Sequence, residues 1–282
     1  MTFEDKPLIM AFVSDLYFSS RIESVTQRMG FTVLFIERDE EDGPNNLGDV
    51  DIQYAEHLDG QGGALLDKLT QQLPALIIFD LGNADIAWRK WILLIKSSPA
   101  TRRTPVLCFG SHMDTERMKA AKAAGADAVL ARSKFVQSLS ELIQKYARRI
   151  DYGALKDACQ HSLSEIAVRG LEEFNRGEYF EAHESLEDAW NQDQTAGREL
   201  YRAILQVAVA YLQIERRNFR GAMKMFLRLR QWIDPLPDMC RGVNVAQLRS
   251  DALQVHEALK ALGPEHINEF DHSLFAPVLY FR

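Results

Sequence analysis

The chain has 282 residues and a formal net charge of −7, with 46% hydrophobic and 26% charged residues. This length predicts two domains, each able to bury its own core. An acidic chain of globular composition is a poor general binder of nucleic acid, because neutralising phosphates needs a basic surface. The sequence has no apolar run of membrane-spanning length and no signal-peptide pattern at its start. We therefore expect a cytoplasmic protein with neither a membrane nor a nucleic-acid partner.

The cysteines agree with a cytoplasmic location. Cys108, Cys159 and Cys240 are odd in number, widely spaced and not arranged as CxxC. This pattern indicates a reducing compartment and gives no metal-binding motif.

Residues 1–149 alternate short apolar runs with amphipathic stretches. The runs predict five buried strands, at residues 8–13, 31–37, 75–81, 104–111 and 126–131. Helical spacing predicts helices between them, including residues 64–73 and a closing helix at 135–149. Residues 38–63 are acidic and rich in Gly and Asn, and we expect an irregular insertion there. This alternation predicts a doubly wound parallel sheet.

Two segments of this half, LPALIIFDL and AGADAVLARSKF, carry a resemblance. Residues 6–149 resemble the receiver domain of bacterial response regulators, which has a five-stranded, flavodoxin-like fold. The resemblance places the phosphoacceptor on Asp80. It places the other functional positions on Asp15 and Ser14 after the first strand, Gly110 beside Ser111 after the fourth, and Arg132, with Ser133 and Lys134 following.

The departures from the receiver pattern weaken the expectation of phosphorylation. Ser14 replaces one of two acids that would hold Mg²⁺, an ion that needs carboxylates in near-octahedral geometry. Gly110 offers no hydroxyl, and the planar guanidinium of Arg132 does not replace an ammonium. We favour a pseudo-receiver used for docking over a response regulator that is phosphorylated on Asp80.

The second half is helical in pattern. Helices are predicted at residues 164–175, 179–191, 197–216, 219–233 and 245–262, after a linker at 150–163 that has no marked Pro or Ser bias. A domain at residues 164–282 follows from this pattern. Tyr179 and Ala182 align with Phe219 and Ala222, an offset of 40 residues. The repeat predicts a compact helical bundle with tetratricopeptide-like hairpins.

One helix of this half carries a polar stripe, formed by Phe180, His183, Glu187 and Trp190 beside a core stripe. It lies in FNRGEYFEAHESLEDAW, which with LQVAVAYLQI and NFRGAMKMF resembles the family called domain of unknown function 309. The resemblance covers roughly residues 164–236. It implies a small all-helical domain and does not imply an activity.

Two interpretations of His183 and Glu187 remain open. Spacing i,i+4 on a helix lets two side chains reach one divalent metal ion, and Glu184 would then complete the centre of a metal-dependent hydrolase. The alternative, which we favour, is a structural polar network that joins His183, Glu187 and Trp190 to Gln206 and Tyr211.

Basic residues gather after the third helix of this half. Arg216, Arg220, Lys224 and Arg228 recur every four residues, which predicts a solvated face or a patch for an anion or an acidic partner. No surface aromatics are interleaved with them, so a nucleic-acid role has little support.

The function favoured by these patterns is a non-enzymatic regulatory adaptor, without a cofactor, that binds a protein partner. We also expect a homodimer formed through the first domain, whose closing helix carries Phe135, Leu139, Leu142 and Ile143.

Overall fold

A computed structural model describes residues 6–38, 68–70 and 72–281 of the chain. The chain divides into two compact units, Met1–Arg149 and Ile150–Arg282.

The first unit is built on a parallel sheet of five strands. In spatial order these are β2 (Thr32–Phe35), β1 (Leu8–Phe12), β3 (Leu76–Asp80), β4 (Val106–Gly110) and β5 (Ala128–Ala131). Every neighbouring pair is parallel. The order 2-1-3-4-5 is that of flavodoxin-like folds. The predicted doubly wound α/β architecture is confirmed.

Both faces of this sheet are covered, which explains why its strands are continuously apolar. On β1, Met10 and Phe12 belong to one apolar cluster, while Ile9 and Ala11 belong to another. The flanking helices are α1 (Leu16–Arg28), α2 (Trp88–Ser97), α3 (Thr115–Ala123) and α4 (Arg132–Tyr146).

The closing helix differs from its prediction. It begins at Arg132, directly after β5, and ends at Tyr146. It stops early because the backbone N–H of Arg148 donates to the carbonyl of Ala75, which draws the chain away from helical geometry. Of the insertion predicted at residues 38–63, all but Arg38 lies outside the described residues. Of the helix predicted at 64–73, residues 68–70, 72 and 73 are described. Residues 68–70 and 72 are helical, whereas Leu73 is not and has a positive φ of 43°.

The second unit is a helical bundle, as predicted. Its helices are α5 (Tyr152–Ala158), α6 (Glu165–Asn175), α7 (Tyr179–Gln192), α8 (Glu199–Glu215), α9 (Phe219–Ile233) and α10 (Val245–Leu262). From α6 to α10, each helix packs on the next one in sequence. A hairpin of β6 (Met239–Cys240) and β7 (Val243–Asn244) precedes α10. The likeness to tetratricopeptide hairpins stays a prediction.

The predicted repeat aligns two corners of this bundle. Gly177 lies before α7 with φ of +81°, and Arg217 lies before α9 with φ of +57°. Ala182 and Ala222, which follow at the same offset, are fully buried. A small residue at these positions lets two helices approach closely.

Residues 150–163, predicted as a linker, belong to the second unit. Leu155, Ala158 and Cys159 on and after α5 are buried, the first and last of them in its main core. The sulfur atoms of Cys159 and Cys240 are 2.05 Å apart and form a disulfide. The expectation of reduced cysteines is therefore wrong for this pair, which 81 residues of sequence separate. Cys108 is a buried free thiol.

The last described residues fold back on the bundle. The side-chain amide of Asn175 donates to the carbonyl of Val278 and accepts from its backbone N–H, at 3.0 and 2.7 Å. The ring of Phe275 stacks on Tyr211 with centroids 4.1 Å apart. None of the helices in the described part of the chain is long and apolar enough to cross a membrane.

Candidate functional site

Asp80 ends β3 at the carboxyl edge of the sheet, where open parallel sheets bind ligands. Its side chain is 4% exposed. Oδ1 accepts a hydrogen bond from the backbone N–H of Gly82 at 2.8 Å. The Nη2 atom of Arg132 donates to both carboxylate oxygens, at 3.3 and 3.4 Å. The buried negative charge is thus compensated by a guanidinium, as a buried ion requires.

Two neighbours fix the position of Arg132. It is the first residue of α4, and its guanidinium carbon lies 5.5 Å from the centroid of the Phe18 ring. A Cβ atom at position 82 would overlap Nη2 of Arg132, so Gly82 makes room for the ion pair. A glycine two residues after Asp80 was the sequence signal for this ion pair, and it was not used in the prediction from sequence.

Among the described residues, Asp15, Ser14, Ser111, Ser133 and Lys134 form no hydrogen bond with Asp80. Asp15 caps α1, and its Oδ1 accepts from the backbone N–H groups of Tyr17 and Phe18 at 2.9 and 3.3 Å. Ser14 is exposed. The hydroxyl of Ser111 accepts from the N–H of Met113 at 3.3 Å. Ser133 and Lys134 are exposed on α4.

The polar stripe on α7 borders the core as predicted. Tyr179, Ala182, Leu186 and Ala189 are buried, whereas Phe180, Glu184 and Glu187 are exposed and His183 and Trp190 are half-buried. In the described part of the chain, no hydrogen bond or ion pair engages the side chain of His183 or Glu187. The predicted hydrogen-bonded network is therefore not formed here.

The two predicted network partners on α8 have other surroundings. The Tyr211 ring packs among Phe174, Tyr179 and Phe275, and burial raises the pKa of its hydroxyl. The same burial raises the pKa of the Tyr179 hydroxyl to about 12. Oε1 of Gln206 is buried without a hydrogen-bond partner among the described residues.

Trp190 belongs instead to a cluster of aromatic rings and arginines that joins α7, α8 and α9. The guanidinium carbons of Arg198 and Arg202 lie 5.0 and 4.7 Å from the centroid of its ring. Arg202 also lies 3.8 Å from the centroid of Trp232. Cation–π contact at such distances stabilises helix packing. The i,i+4 spacing of the two arginines was the available sequence signal.

His183 and Glu187 supply two candidate metal ligands. Zinc in catalytic sites takes three protein ligands. Within residues 6–38, 68–70 and 72–281, no three His, Cys, Asp or Glu side chains come together in a way that could hold a metal ion.

The predicted basic patch is divided between two helices. Arg216 caps the end of α8, and the turn that follows separates it from α9. Arg220 and Lys224 on α9 are exposed, and Arg228 is half-buried. Of the four basic residues predicted to share one helix face, only Arg220, Lys224 and Arg228 lie on the same helix.

The apolar side of α4 faces inward. Phe135, Leu139 and Ile143 are buried in the core of the first unit, so they cannot form the predicted dimer surface. Leu142 instead lines a groove of about 630 Å³ with Leu130, Tyr146 and three lysines, Lys119, Lys122 and Lys145. We call this the lysine-edged groove.

A larger pocket, of about 730 Å³, lies within the second unit. Its walls include residues 159–163, Glu165 and Arg169 of α6, and the hairpin turn at Arg241 and Gly242. Sequence reasoning did not predict it, because its walls come from distant parts of the chain.

One family model matches this chain. The family is described as Domain of unknown function (DUF309), and its model matches residues 167–225. No curated protein matches the chain.

Several solved structures are similar to the N-terminal half. A protein described as a response regulator from Chloroflexus aurantiacus is 18% identical, with a TM-score of 0.38, over 50% of this chain and 97% of its own. An orphan response regulator of H. pylori is 16% identical, with a TM-score of 0.36, over 51% and 98%. The chemotaxis response regulator CheY4 of Vibrio cholerae is 15% identical, with a TM-score of 0.37, over 50% and 98%.

Proposed function

We propose that this chain, in which residues 167–225 form a DUF309 domain after a receiver-like unit, is a non-enzymatic regulatory adaptor. The receiver-like unit docks or self-associates, and the helical unit binds a protein partner in the cytoplasm. The observation that supports this most is the ion pair between Asp80 and Arg132.

The ion pair opposes phosphorylation on Asp80. A carboxylate that attacks a phosphodonor needs a free oxygen and a metal ion to neutralise the transferred group. Both oxygens of Asp80 face Arg132, and Oδ1 also accepts from Gly82. Asp15, the remaining acid of the metal position, is engaged as the cap of α1. A poor metal site and a neutralised carboxylate both favour a docking role.

A phosphodonor tests this proposal. The full chain is treated with acetyl phosphate and Mg²⁺ and weighed intact. We expect no gain of a phosphoryl group. The double variant Ser14→Asp, Arg132→Lys restores the second acid and the ammonium, and we expect it to gain labelling that a further Asp80→Asn change removes. Stable labelling of the wild type, lost in Asp80→Asn, would overturn the proposal.

The charges of the helical unit point to an acidic protein partner. Arg220 and Lys224 are exposed on α9, while Arg216 is exposed at the end of α8. A basic surface of this size favours carboxylates on a partner and speeds encounter with it at low salt.

A metal-dependent hydrolase is the second candidate, favoured by the unpaired state of His183 and Glu187 in the described part of the chain. Their spacing of one helical turn would let both reach one ion, with Glu184 beside them. It would need a third ligand from a substrate or a further residue.

A further inference from the structure

The disulfide between Cys159 and Cys240 joins two walls of the 730 Å³ pocket. Cys159 follows α5 and lines the pocket, whereas Cys240 ends β6 and is fully buried. The disulfide is the covalent attachment of α5 to the hairpin. We propose that it is a site of thiol–disulfide exchange, entered by a small thiol through the pocket at Cys159, and that opening it releases residues 152–163 from the helical unit.

The hairpin side of the disulfide is independently anchored. The guanidinium of Arg241, next to Cys240, pairs with Asp193 at 2.7 Å and donates to Thr195 Oγ1 at 2.8 Å. It also donates to the hydroxyl of Tyr201. Arg241 is 7% exposed, so these contacts lie in a water-poor environment where they are strong. The hairpin therefore stays in place when the disulfide opens.

The α5 side has fewer attachments. This helix has only seven residues, too few to be stable without packing. Among the described residues, its attachments besides the disulfide include the buried side chains of Leu155 and Ala158, packing on residues 196–198, and a hydrogen bond from the N–H of Arg241 to the carbonyl of Cys159 at 2.7 Å. Reduction of the disulfide therefore destabilises the attachment of α5, the first helix of the second unit, more than that of the hairpin.

The position of the two sulfurs sets the direction of the exchange. A small thiolate in the pocket attacks Sγ of Cys159, the S–S bond breaks, and Cys240 leaves as a thiolate that takes up a proton. A mixed disulfide remains on Cys159. A second small thiol attacks the sulfur of the bound small thiol, so that Cys159 leaves as a thiol and a small disulfide forms. Two electrons pass to the protein and two small thiols are oxidised.

Reversible exchange is the use that cytosolic disulfides ordinarily have, because the glutathione pool keeps other thiols reduced. Disulfide exchange therefore agrees with the proposed cytoplasmic location. It does not depend on the adaptor function, because it involves only the two cysteines and α5.

Alkylation of the full chain, prepared without reductant and then unfolded, counts its free thiols. We expect one alkyl group, on Cys108. Native chain incubated with reduced glutathione should take three. Three groups before any reductant would show that the disulfide does not form and would overturn the proposal.

Amide hydrogen exchange then measures whether α5 is released. After reduction, we expect the amides of residues 152–158 to exchange at least about tenfold faster, while those of the hairpin stay protected, since local opening follows local stability. Unchanged protection of residues 152–158 would overturn the release. The Cys108→Ser variant serves as the matched control and should behave as the wild type.

A pair of variants tests the point of entry. Treated with oxidised glutathione, Cys240→Ser should form an adduct on Cys159 at least about tenfold faster than Cys159→Ser forms one on Cys240, because exposure governs thiol reactivity. Equal rates in two folded variants would overturn entry through the pocket. Both variants are first checked by circular dichroism, and the wild-type measurements stand without them.

Discussion

His183 is half-buried on α7 and forms no hydrogen bond or ion pair with any described residue. Its replacement by alanine removes packing but leaves no polar partner unsatisfied. We expect His183→Ala to lower the free energy of unfolding by only about 0.5–1 kcal/mol. A chelator should leave the melting temperature of the wild type unchanged.

The opposite pattern would support the hydrolase candidate. A bound metal ion stabilises the native state by mass action, so a chelator would then lower the melting temperature of the wild type. The His183→Ala variant would be insensitive to both chelator and Zn²⁺. Glu181→Gln, at an exposed position of the same helix that the hydrolase candidate does not use, is the control for an unrelated substitution on this surface.

His256 on α10 links stability to pH. Its ring stacks on Phe226 of α9, and its Nε2 is buried without a hydrogen-bond partner among the described residues. Burial lowers the pKa of the imidazole below 6.5, Lys260 and Arg230 lower it further, and Glu257 opposes them. The unfolded chain therefore binds the proton at higher pH than the folded chain.

The sign of this effect follows directly. The stabilisation is complete above the unfolded pKa of 6.5 and is lost as the pH falls towards the folded pKa. We expect urea unfolding to show that the wild type loses stability below pH 6.5 relative to His256→Gln, while the difference between them is constant above about pH 7.5. A difference that is flat across this range would contradict the prediction.

The two helical corners at Gly177 and Arg217 offer a matched test at the scale of the hairpin. Both have positive φ, which costs a residue with a Cβ about 1–2 kcal/mol. A Cβ at Gly177 would meet no atom within 4 Å, so the cost of Gly177→Ala is that of the backbone alone. We expect Gly177→Ala to destabilise by about 1–2 kcal/mol and Arg217→Gly to stabilise by about 0.5 kcal/mol.

Chemical denaturation of the two variants measures both effects. Arg217→Lys keeps the charge and the strained backbone, and it should match the wild type. Changes of the same sign in Gly177→Ala and Arg217→Gly would show that the corners are not equivalent.

Elements were predictable wherever their pattern is local and long. The five strands and helices α6 to α10 follow from apolar runs and helical spacing, and Gly177 marks its corner correctly. The short helix α5 and the hairpin at Met239 have too few residues for a periodic signal. The disulfide and the cluster around Arg202 depend on contacts between distant segments, which spacing along one segment does not encode.

Site residues were predictable only as positions. The receiver resemblance placed Asp80 after β3 and Arg132 after β5. These strands are separated by β4, but parallel strands bring their carboxyl ends to the same edge of the sheet. The direct ion pair between Asp80 and Arg132 depends on the space left by Gly82, a steric condition that appears only with side chains in place.

For the whole molecule, we expect a homodimer formed through the lysine-edged groove. Its walls are apolar at Leu130, Leu142 and Tyr146, which favours burial against a second copy. Light scattering should report twice 32.1 kDa for the full chain.

A charge in the groove should dissociate this dimer. Leu142→Glu is expected to give a monomer with an unchanged circular dichroism spectrum. Leu253→Glu is the control, because Leu253 is 58% exposed on α10 in the other unit and should leave the mass unchanged. A wild-type mass of 32.1 kDa at high micromolar concentration would refute self-association.

The pair of hydrogen bonds between the Asn175 side chain and the Val278 backbone has a consequence for synthesis of the protein. Asn175, the last residue of α6, is translated 103 residues before Val278, whose backbone its side-chain amide binds. Tyr211 is likewise translated before Phe275, whose ring stacks on it in the folded protein. Until then the nascent bundle presents an uncovered aromatic surface. A ribosome stalled between these points would hold a chain that chaperones can recognise and that proteases can cut.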